Sequence, residues 1–472
     1  MSLPAPTVNP VVVIGGGISG LACAYYLQRA GIPVLLLEAG NRPGGMIATR
    51  ENDGFRFDLG PQSFLSTEPL LALIDALGLK GQLLYANPRA PRYILVDGKL
   101  VPAPLAPPSL LTTPLFSAGT KWRLLTEMLR HTRPPEGDES IGAFVRRKFG
   151  DELLGRLVAP FVSGIYAGDP ERLSLRASFP KIHEFEEEYG SVLRGAMKSR
   201  PAKGTPRAGL CSFRDGMETL PRALAVRLGD SLLLETRVTG LRRAANKGKP
   251  GFEVSIVRNK EHEVLAANAV VIATPANIAS LLVLGLSDEW SPLFARIEYA
   301  PVAVVSAGYR VEQIARPADG FGFLVPRTEG LHVLGTVFNS SLFPGRAPQG
   351  MVSVTSFTGG ATDPKFTDLG DEEITDTVCG EVGRVLGITG KPVAANVQRY
   401  ARAIPQYNLG HIQVVESLEK LANTMPELFL AGNYLSGPSI GSCVEQANRT
   451  VDAVREYLAS IGVAGVEAVA HA

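Results

Sequence analysis

The sequence predicts an α/β fold, and three features carry that prediction. From Val11, "VVVIGGGISGLACAYYLQRAGIPVLLLEAG" sets an apolar run, a glycine turn, a helix-spaced segment closed by glycine and a second apolar run in succession, one compact β-α-β unit. Near the other end, "ELFLAGNYLSGPSIGSCVEQANRT" repeats the order strand, glycine, helix. Between them lie blocks of short strands and one charge-rich helical block. An α/β chain that opens on a Rossmann-like β-α-β unit and continues through strand-rich and helical blocks is therefore expected.

Each element follows from its residues. "MIATREN" and "FRFDLG" read as a hairpin turning at Asp53-Gly54, a pair suited to the positive φ of a tight turn. "TEPLLALIDALGL" has the spacing of an amphipathic helix. Between Ala86 and Pro114, prolines gather around a second Asp-Gly turn in "PRYILVDGKLVPAP", and the change of composition marks a domain crossing. From Lys121 to about Arg200 the pattern is helical and charged, with breaks expected at Pro134-Pro135 and at "APFVSGIYAGDP". Short alternating strands follow from Leu232 to Pro275, ending in the buried run "AVVIATP". A second strand-rich block spans about Ile297 to Gly360, and "ELFLAGN" is the last strand before a closing helix.

With 472 residues, the chain is two to three times the usual ~150-residue domain and can enclose both a cofactor and a sizeable substrate. Lys plus Arg number 47 against 46 Asp plus Glu, without a long single-sign block, which argues against a nucleic-acid partner. Cys23, Cys211, Cys379 and Cys443 have no paired spacing and read as four buried thiols in a reducing cytoplasm. "MSLPAPTVNP" lacks the features of a targeting segment, and no run approaches the ~18 apolar residues that span a bilayer. A cytoplasmic chain, at most peripheral on a membrane, is expected.

Gly15, Gly17 and Gly20 form G-x-G-x-x-G between strand and helix. The glycines serve a tight turn, close approach to a pyrophosphate and close helix–strand packing, and the helix opening at Ile18 and Ser19 aims free N–H groups at phosphate. Glu38 ends the second strand, where a carboxylate accepts hydrogen bonds from a ribose and repels a 2′-phosphate, disfavouring NADP. The 6 histidines are scattered and none joins a recognisable base or metal motif, so a bound cofactor is expected to carry the chemistry.

"NRPGGMIAT", just after Glu38, resembles the second glycine pair of the flavin amine oxidase superfamily, and the closing strand–Gly-Asn–helix resembles that superfamily's flavin-ring segment. The resemblance implies noncovalent FAD in a discontinuous Rossmann-like domain that both chain ends build, from 1–85, 200–280 and 406–472, with a helical part at 86–199 and a strand-rich substrate part at 281–405. Within the superfamily the chain resembles the oxygen-dependent protoporphyrinogen oxidase family nearly end to end. The likeness is carried by "FDLGPQSFL", "PRYILVDGKLVPAP", "FVSGIYAGDPERLS", "GFGFLVPRTEG", "GTVFNSSLFPGRAP" and "IPQYNLGH".

That resemblance implies oxidation of protoporphyrinogen IX to protoporphyrin IX in haem biosynthesis: meso hydrogens leave as hydride to the flavin, N–H protons are lost, and O2 takes the electrons as H2O2. It places Gly15, Gly16, Gly17, Ile18, Ser19, Gly20, Glu38, Ala39, Arg42, Gly45 and Met46 along adenosine and pyrophosphate, and Val238 against the adenine. Gly60, Pro61, Gln62 and Ser63 would pass the flavin ring; Gly432, Asn433, Pro438, Ser439 and Ile440 would border ribityl chain and ring. Arg92 would meet a propionate in a largely desolvated pocket, Leu324, Val337 and Phe357 would sandwich a pyrrole ring, and Ala167 and Gly168 would line the pocket nearby. Pro438-Ser439-Ile440 departs from the family's Val-Ala-Val, implying a local change of backbone path, and Val337 is smaller than the Leu of plant relatives, implying a looser slot. The family also implies inhibition by carboxylate-bearing diphenyl ethers, and leaves open a homodimer, transfer of product to a chelatase, and membrane contact by the helical part.

Other readings weighed are coproporphyrinogen III oxidase, a flavin amine oxidase with Tyr434 in an aromatic cage, and a GDP-dissociation-inhibitor-like binding protein. The intact glycines and Glu38 argue against the last. "KSRPAKGTPRAG" at 198–209 reads as a mobile basic loop.

Overall fold

Val11–Ile14, Val34–Leu37 and Ala269–Ile272 are continuous apolar runs, the mark of parallel strands covered on both faces. In the computed structural model, which describes residues 9–104, 107–199, 209–246 and 249–463, they join a five-stranded parallel sheet. Its order is Leu232–Leu233, Val34–Leu37, Val11–Ile14, Ala269–Ile272, Leu428–Leu430, so strands far apart in sequence lie side by side. Alternate residues feed two cores. Val11, Val13 and Leu36 pack with the helices Ile18–Arg29 and Ile440–Ser460; Val12, Ile14, Leu37 and Val270 pack towards the antiparallel sheet Thr236–Asn246, Lys249–Arg258, Glu261–Ala267.

A seven-stranded sheet faces this domain, in the order Ala394–Pro405, Tyr299–Arg310, Met351–Gly359, Val333–Val337, Gly322–Leu324, Arg92–Val96, Lys99–Pro102. One face carries Val305, Ala307, Phe323 and Val354 onto the helix Asp371–Leu386. The hairpin at 92–102, which composition groups with the helical part, pairs into this sheet instead, Gly322 opposite Arg92 and Leu324 opposite Ile94. Asp97 and Gly98 turn it with φ of 49° and 70°, and Asp53-Gly54 turns the 49–58 hairpin likewise at 50° and 79°.

The helical part packs round Leu115, Phe116, Leu124, Leu173 and Leu175, in a core that also takes in Ile94 of the sheet and Tyr407. A break stands at Pro134-Pro135, between Ala118–Glu127 and Ile141–Lys148. The break expected across "APFVSGIYAGDP" falls later: Ala159–Tyr166 is helical, with Pro160 in its first turn directly after a π turn at Leu154–Val158. The widened turn accommodates a proline that lacks an N–H and crowds the preceding carbonyl. The chain leaves the helix only at Ala167, in the left-handed region at φ 46°. Residues 200–208 of the expected basic loop lie outside the described residues. All four cysteines are free; Cys379 is only half-buried, because the outer flank of its helix is uncovered, whereas the other three are buried as expected. Among the described residues, no helix is long and apolar enough to cross a membrane.

Candidate functional site

The opening glycines are tightly constrained. A Cβ on Gly20 would lie 1.9 Å from the Gly15 carbonyl, and one on Gly15 would meet the Ala273 carbonyl at 2.9 Å, so helix, turn and neighbouring strand close only with glycine. Gly17 differs, for nothing lies within 4 Å of its Cβ direction. It stands before a 12-residue helix with no side-chain cap and no acid in its first turn. Open space at an uncapped, acid-free helix start fits a pyrophosphate. Glu38 Oε2 accepts from Gly16 N at 2.6 Å and Oε1 from Gly40 N at 2.7 Å, so the carboxylate is locked in place while lone pairs remain for ribose hydroxyls. Ala39 is exposed beside it.

Arg42 works on the loop itself. Its guanidinium donates to the carbonyls of Gly45 at 2.6 Å, Ile47 at 3.2 Å and Pro43 at 3.3 Å, knotting "RPGGM" against the turn. Gly44 N donates to Gly16 O, which joins the two glycine motifs. Val238 lies half-buried on its strand at a bulge, in the core beside Leu37.

The segment 60–63 is anchored from two sides. Gln62 Nε2 donates to the carbonyls of Asp58 and Gly60, and its Oε1 accepts from Asn339 Nδ2 at 2.6 Å. Asp58 accepts from Thr49 and Met217 and pairs with fully buried Arg346 at 3.1 Å. Pro61 and Ser63 stay half-buried. Across the site, Gly432 N donates to Gln446 Oε1 at 3.0 Å, and Asn433 is half-buried next to it. Pro438 leads into Ser439, which caps Ile440–Ser460 by accepting from Ser442 N at 3.0 Å. The unusual tripeptide is thus a proline entry and an N-cap. Tyr434 is no cage residue: it is wholly buried, edge-on to Phe294 in the core.

Strand register gathers the four residues expected at the substrate. Arg92 pairs with Gly322, Gly322 with Val337, Val337 with Thr355; Leu324 pairs with Gly335, and Gly335 with Phe357. Cross-strand partners and residues two apart share a face, so Arg92, Leu324, Val337 and Phe357 all lie on the face opposite the helix Asp371–Leu386. Met46 from the glycine loop joins Phe357, Val302, Val304, Ala167 and Tyr400 in one apolar cluster there. Val337 belongs to a neighbouring cluster with Phe321, over whose ring the Arg92 guanidinium sits at 5.0 Å. Arg92 is exposed, not enclosed as expected, because its strand lies near the sheet edge and it is the strand's first residue. Leu324 touches Gly164, where a Cβ would come within 2.8 Å of its Cδ2. Gly168 is buried beneath Leu173 and Gln406.

Sequence reasoning passed over several residues that the fold brings to this place. Tyr400 donates to Met46 O at 3.3 Å from the far strand. Thr274 sits beside Gly15, and Gln446 holds Gly432. The run "AVVIATP" contained the Thr274 signal; nothing local distinguishes Tyr400 or Gln446.

Comparison with known proteins agrees with this geometry. Residues 18–455 match the family described as flavin containing amine oxidoreductase. The chain is 36% identical to the chloroplastic protoporphyrinogen oxidase of Oryza sativa subsp. japonica, over 95% of this chain and 88% of the relative. It is 29% identical to the coproporphyrinogen III oxidase of Bacillus subtilis, over 95% of this chain and 98% of that protein. A solved structure from Exiguobacterium sp. 255-15, with a provisional protoporphyrinogen oxidase designation, superimposes with a TM-score of 0.81 at 26% identity, covering 95% of this chain and 99% of that one.

Proposed function

The chain belongs to the flavin containing amine oxidoreductase family, and from that premise we propose that it oxidises protoporphyrinogen IX to protoporphyrin IX, with noncovalent FAD as cofactor and dioxygen as acceptor. The observation that carries the reading is the cluster of Ala167, Val302 and Val304, against which both Met46 of the glycine loop and Phe357 of the strand sheet pack. A large, mostly apolar tetrapyrrole needs such a face and few polar anchors. The relatives named protoporphyrinogen oxidase support the same substrate.

Gly15 to Gly20 and the start of the first helix would hold the pyrophosphate, Glu38 the ribose, and Val238 the adenine edge. Arg42 shapes the loop that carries Gly45 and Met46; that loop, Gly60 to Ser63 and Gly432 to Ile440 would hold the rest of the cofactor. When bound, the flavin supplies two-electron oxidation of the substrate and passes the electrons to dioxygen. Phe357, Leu324 and Val337 orient the macrocycle, the turn at Ala167 and Gly168 closes the slot, and Arg92 steers a propionate at the sheet edge. The protein's share is position and exclusion of water.

Purified protein is expected to be yellow, to release its flavin on acid precipitation, and to turn over protoporphyrinogen IX with release of peroxide. A colourless protein, or flavin that stays with the acid precipitate, sinks the cofactor assignment. Glu38→Ala is expected to lower the flavin-to-protein ratio.

Coproporphyrinogen III is the second reading, favoured by the Bacillus subtilis relative that this chain matches over nearly its full length and by the open position of Arg92. Comparing kcat/KM on the two porphyrinogens decides between them. Trp122, Leu125 and Leu129 follow one another along one side of the Ala118–Glu127 helix and its extension, and are 66%, 50% and 83% exposed. This stripe supports peripheral membrane contact of the helical part, and co-sedimentation of wild type but not Trp122→Lys with lipid vesicles tests it.

A further inference from the structure

Within the stretch "IPQYNLGH", Gln406, Tyr407 and His411 are buried between the turn at Ala167-Gly168 and the segment at Asn433-Tyr434. Gln406 is 4% exposed; its Nε2 donates to the Tyr166 carbonyl at 2.8 Å, at the end of the helix that delivers Ala167 and Gly168. A Cβ on Gly168 would stand 2.7 Å from Gln406 Oε1, so the amide lies directly under the turn. Next in sequence, Tyr407 is 3% exposed and its hydroxyl donates to the carbonyl of Asn433. Its ring stacks on His411 at 4.2 Å and 12°, and His411 Nε2 hydrogen-bonds the carbonyl of Tyr434 at 2.9 Å. Tyr407 O in turn accepts from Ser174 N at 2.8 Å.

We propose that Gln406, Tyr407 and His411 form a rigid strut that sets the separation between the substrate-lining turn at Ala167-Gly168 and the flavin-bordering segment at Asn433-Tyr434. The proposal rests on the site reading given above. Gln406 and Tyr407 are consecutive, so their two contacts cannot drift apart without moving the backbone between them. Burial pushes the Tyr407 phenol well above its ordinary value and lowers His411 to about 4. Both groups are uncharged near neutrality, and each carries the proton that it donates to its carbonyl. The two pinned carbonyls follow one another directly, so the path of the chain beyond Gly432 is held at two points. Tyr407 and His411 are positioning residues; neither needs to touch the reacting atoms.

Tyr407→Phe keeps the stack and removes one donor. In substrate-free holoenzyme it is expected to change the visible circular dichroism of the bound flavin and to raise the flavin dissociation constant at least fivefold. With porphyrinogen, flavin reduction is expected to slow at least tenfold while KM stays within twofold. Gln406→Leu is expected to do the reverse, raising KM at least fivefold and leaving the flavin dichroism as in wild type. His411→Phe, which also keeps the stack, is expected to act as Tyr407→Phe does and takes its place if that variant does not fold. Wild-type dichroism, flavin affinity and reduction rate in Tyr407→Phe or its substitute overturn the strut. A wild type inactive on both porphyrinogens overturns the substrate reading, while the substrate-free flavin measurements still decide the strut.

Discussion

Arg92 shows how far one residue's setting changes its expected weight. Its guanidinium is exposed and lies over Phe321, so the propionate contact proposed for it would be made at the solvent-facing rim of the sheet and not in a dry pocket. Arg92→Ala is therefore expected to lose about 1.5 to 3 kcal/mol in kcat/KM, the range for one hydrogen bond to a charged group, with the flavin spectrum intact. Lys at 92 is expected to rescue only part of that loss, since an ammonium cannot form the two-point fork. Inhibition constants for a carboxylate-bearing diphenyl ether are expected to rise more than those for a neutral analogue; equal rises would leave Arg92 only a steric role. Glu38 is the contrasting case, because its carboxylate already accepts from Gly16 N and Gly40 N. Removing it would disturb the loop that these two bonds hold as well as the ribose contact proposed for it.

At the scale of elements, two buried charge clusters hold helices and loops together. In the helical part, Glu186 accepts from Arg147 and Thr132 and pairs with Lys148 at 3.0 Å, joining Pro180–Tyr189 to Ile141–Lys148. Burial alone would raise its carboxyl, but the hydrogen bonds from Arg147, Thr132 and Lys148 outweigh it and bring the value to about 2. A depressed carboxyl stabilises the fold above its unfolded value near 4.5 and loses that contribution as pH falls towards 2. Acid unfolding of the helical part, followed by circular dichroism, is expected in that window and is expected to flatten in Glu186→Gln. The second cluster is Asp58 with Arg346, both wholly buried, which ties the 49–58 hairpin to the loop after Asn339–Leu342. Arg346→Met leaves a buried carboxylate unpaired and is expected to cost about 3 to 5 kcal/mol in denaturant titrations; a loss below about 1 kcal/mol would mean that water reaches Asp58 in the variant.

For the whole molecule, the proposed nucleotide site draws on residues from Gly15 to Ile440, which would link cofactor binding to the fold thermodynamically. Flavin at 100 times its dissociation constant is expected to add about 2.7 kcal/mol to stability, read as a higher melting temperature of holo- over apoprotein; equal values would show that the site is not coupled to the global fold. Local sequence was enough to determine the parts whose demands are themselves local. Gly15, Gly20 and Gly44 answer to steric limits within a few residues or against an adjacent strand, and Asp53-Gly54 and Asp97-Gly98 answer to turn geometry. The apolar runs at 11–14, 34–37 and 269–272 declare a doubly covered sheet by composition alone. Other features were decided only in three dimensions. The pairing of Arg92–Val96 with Gly322–Leu324, the packing of Met46 and Phe357 against one cluster, the bond from Tyr400 to Met46 O and the hold of Tyr407 on Asn433 join residues that share no neighbours in the chain. Such contacts depend on register and on which faces pack together, and a side chain carries no mark of the distant partner it will meet; the glycine turn is written in the sequence, while the apolar cluster that takes in Met46 and Phe357 exists only once the glycine loop and the strand sheet have packed together.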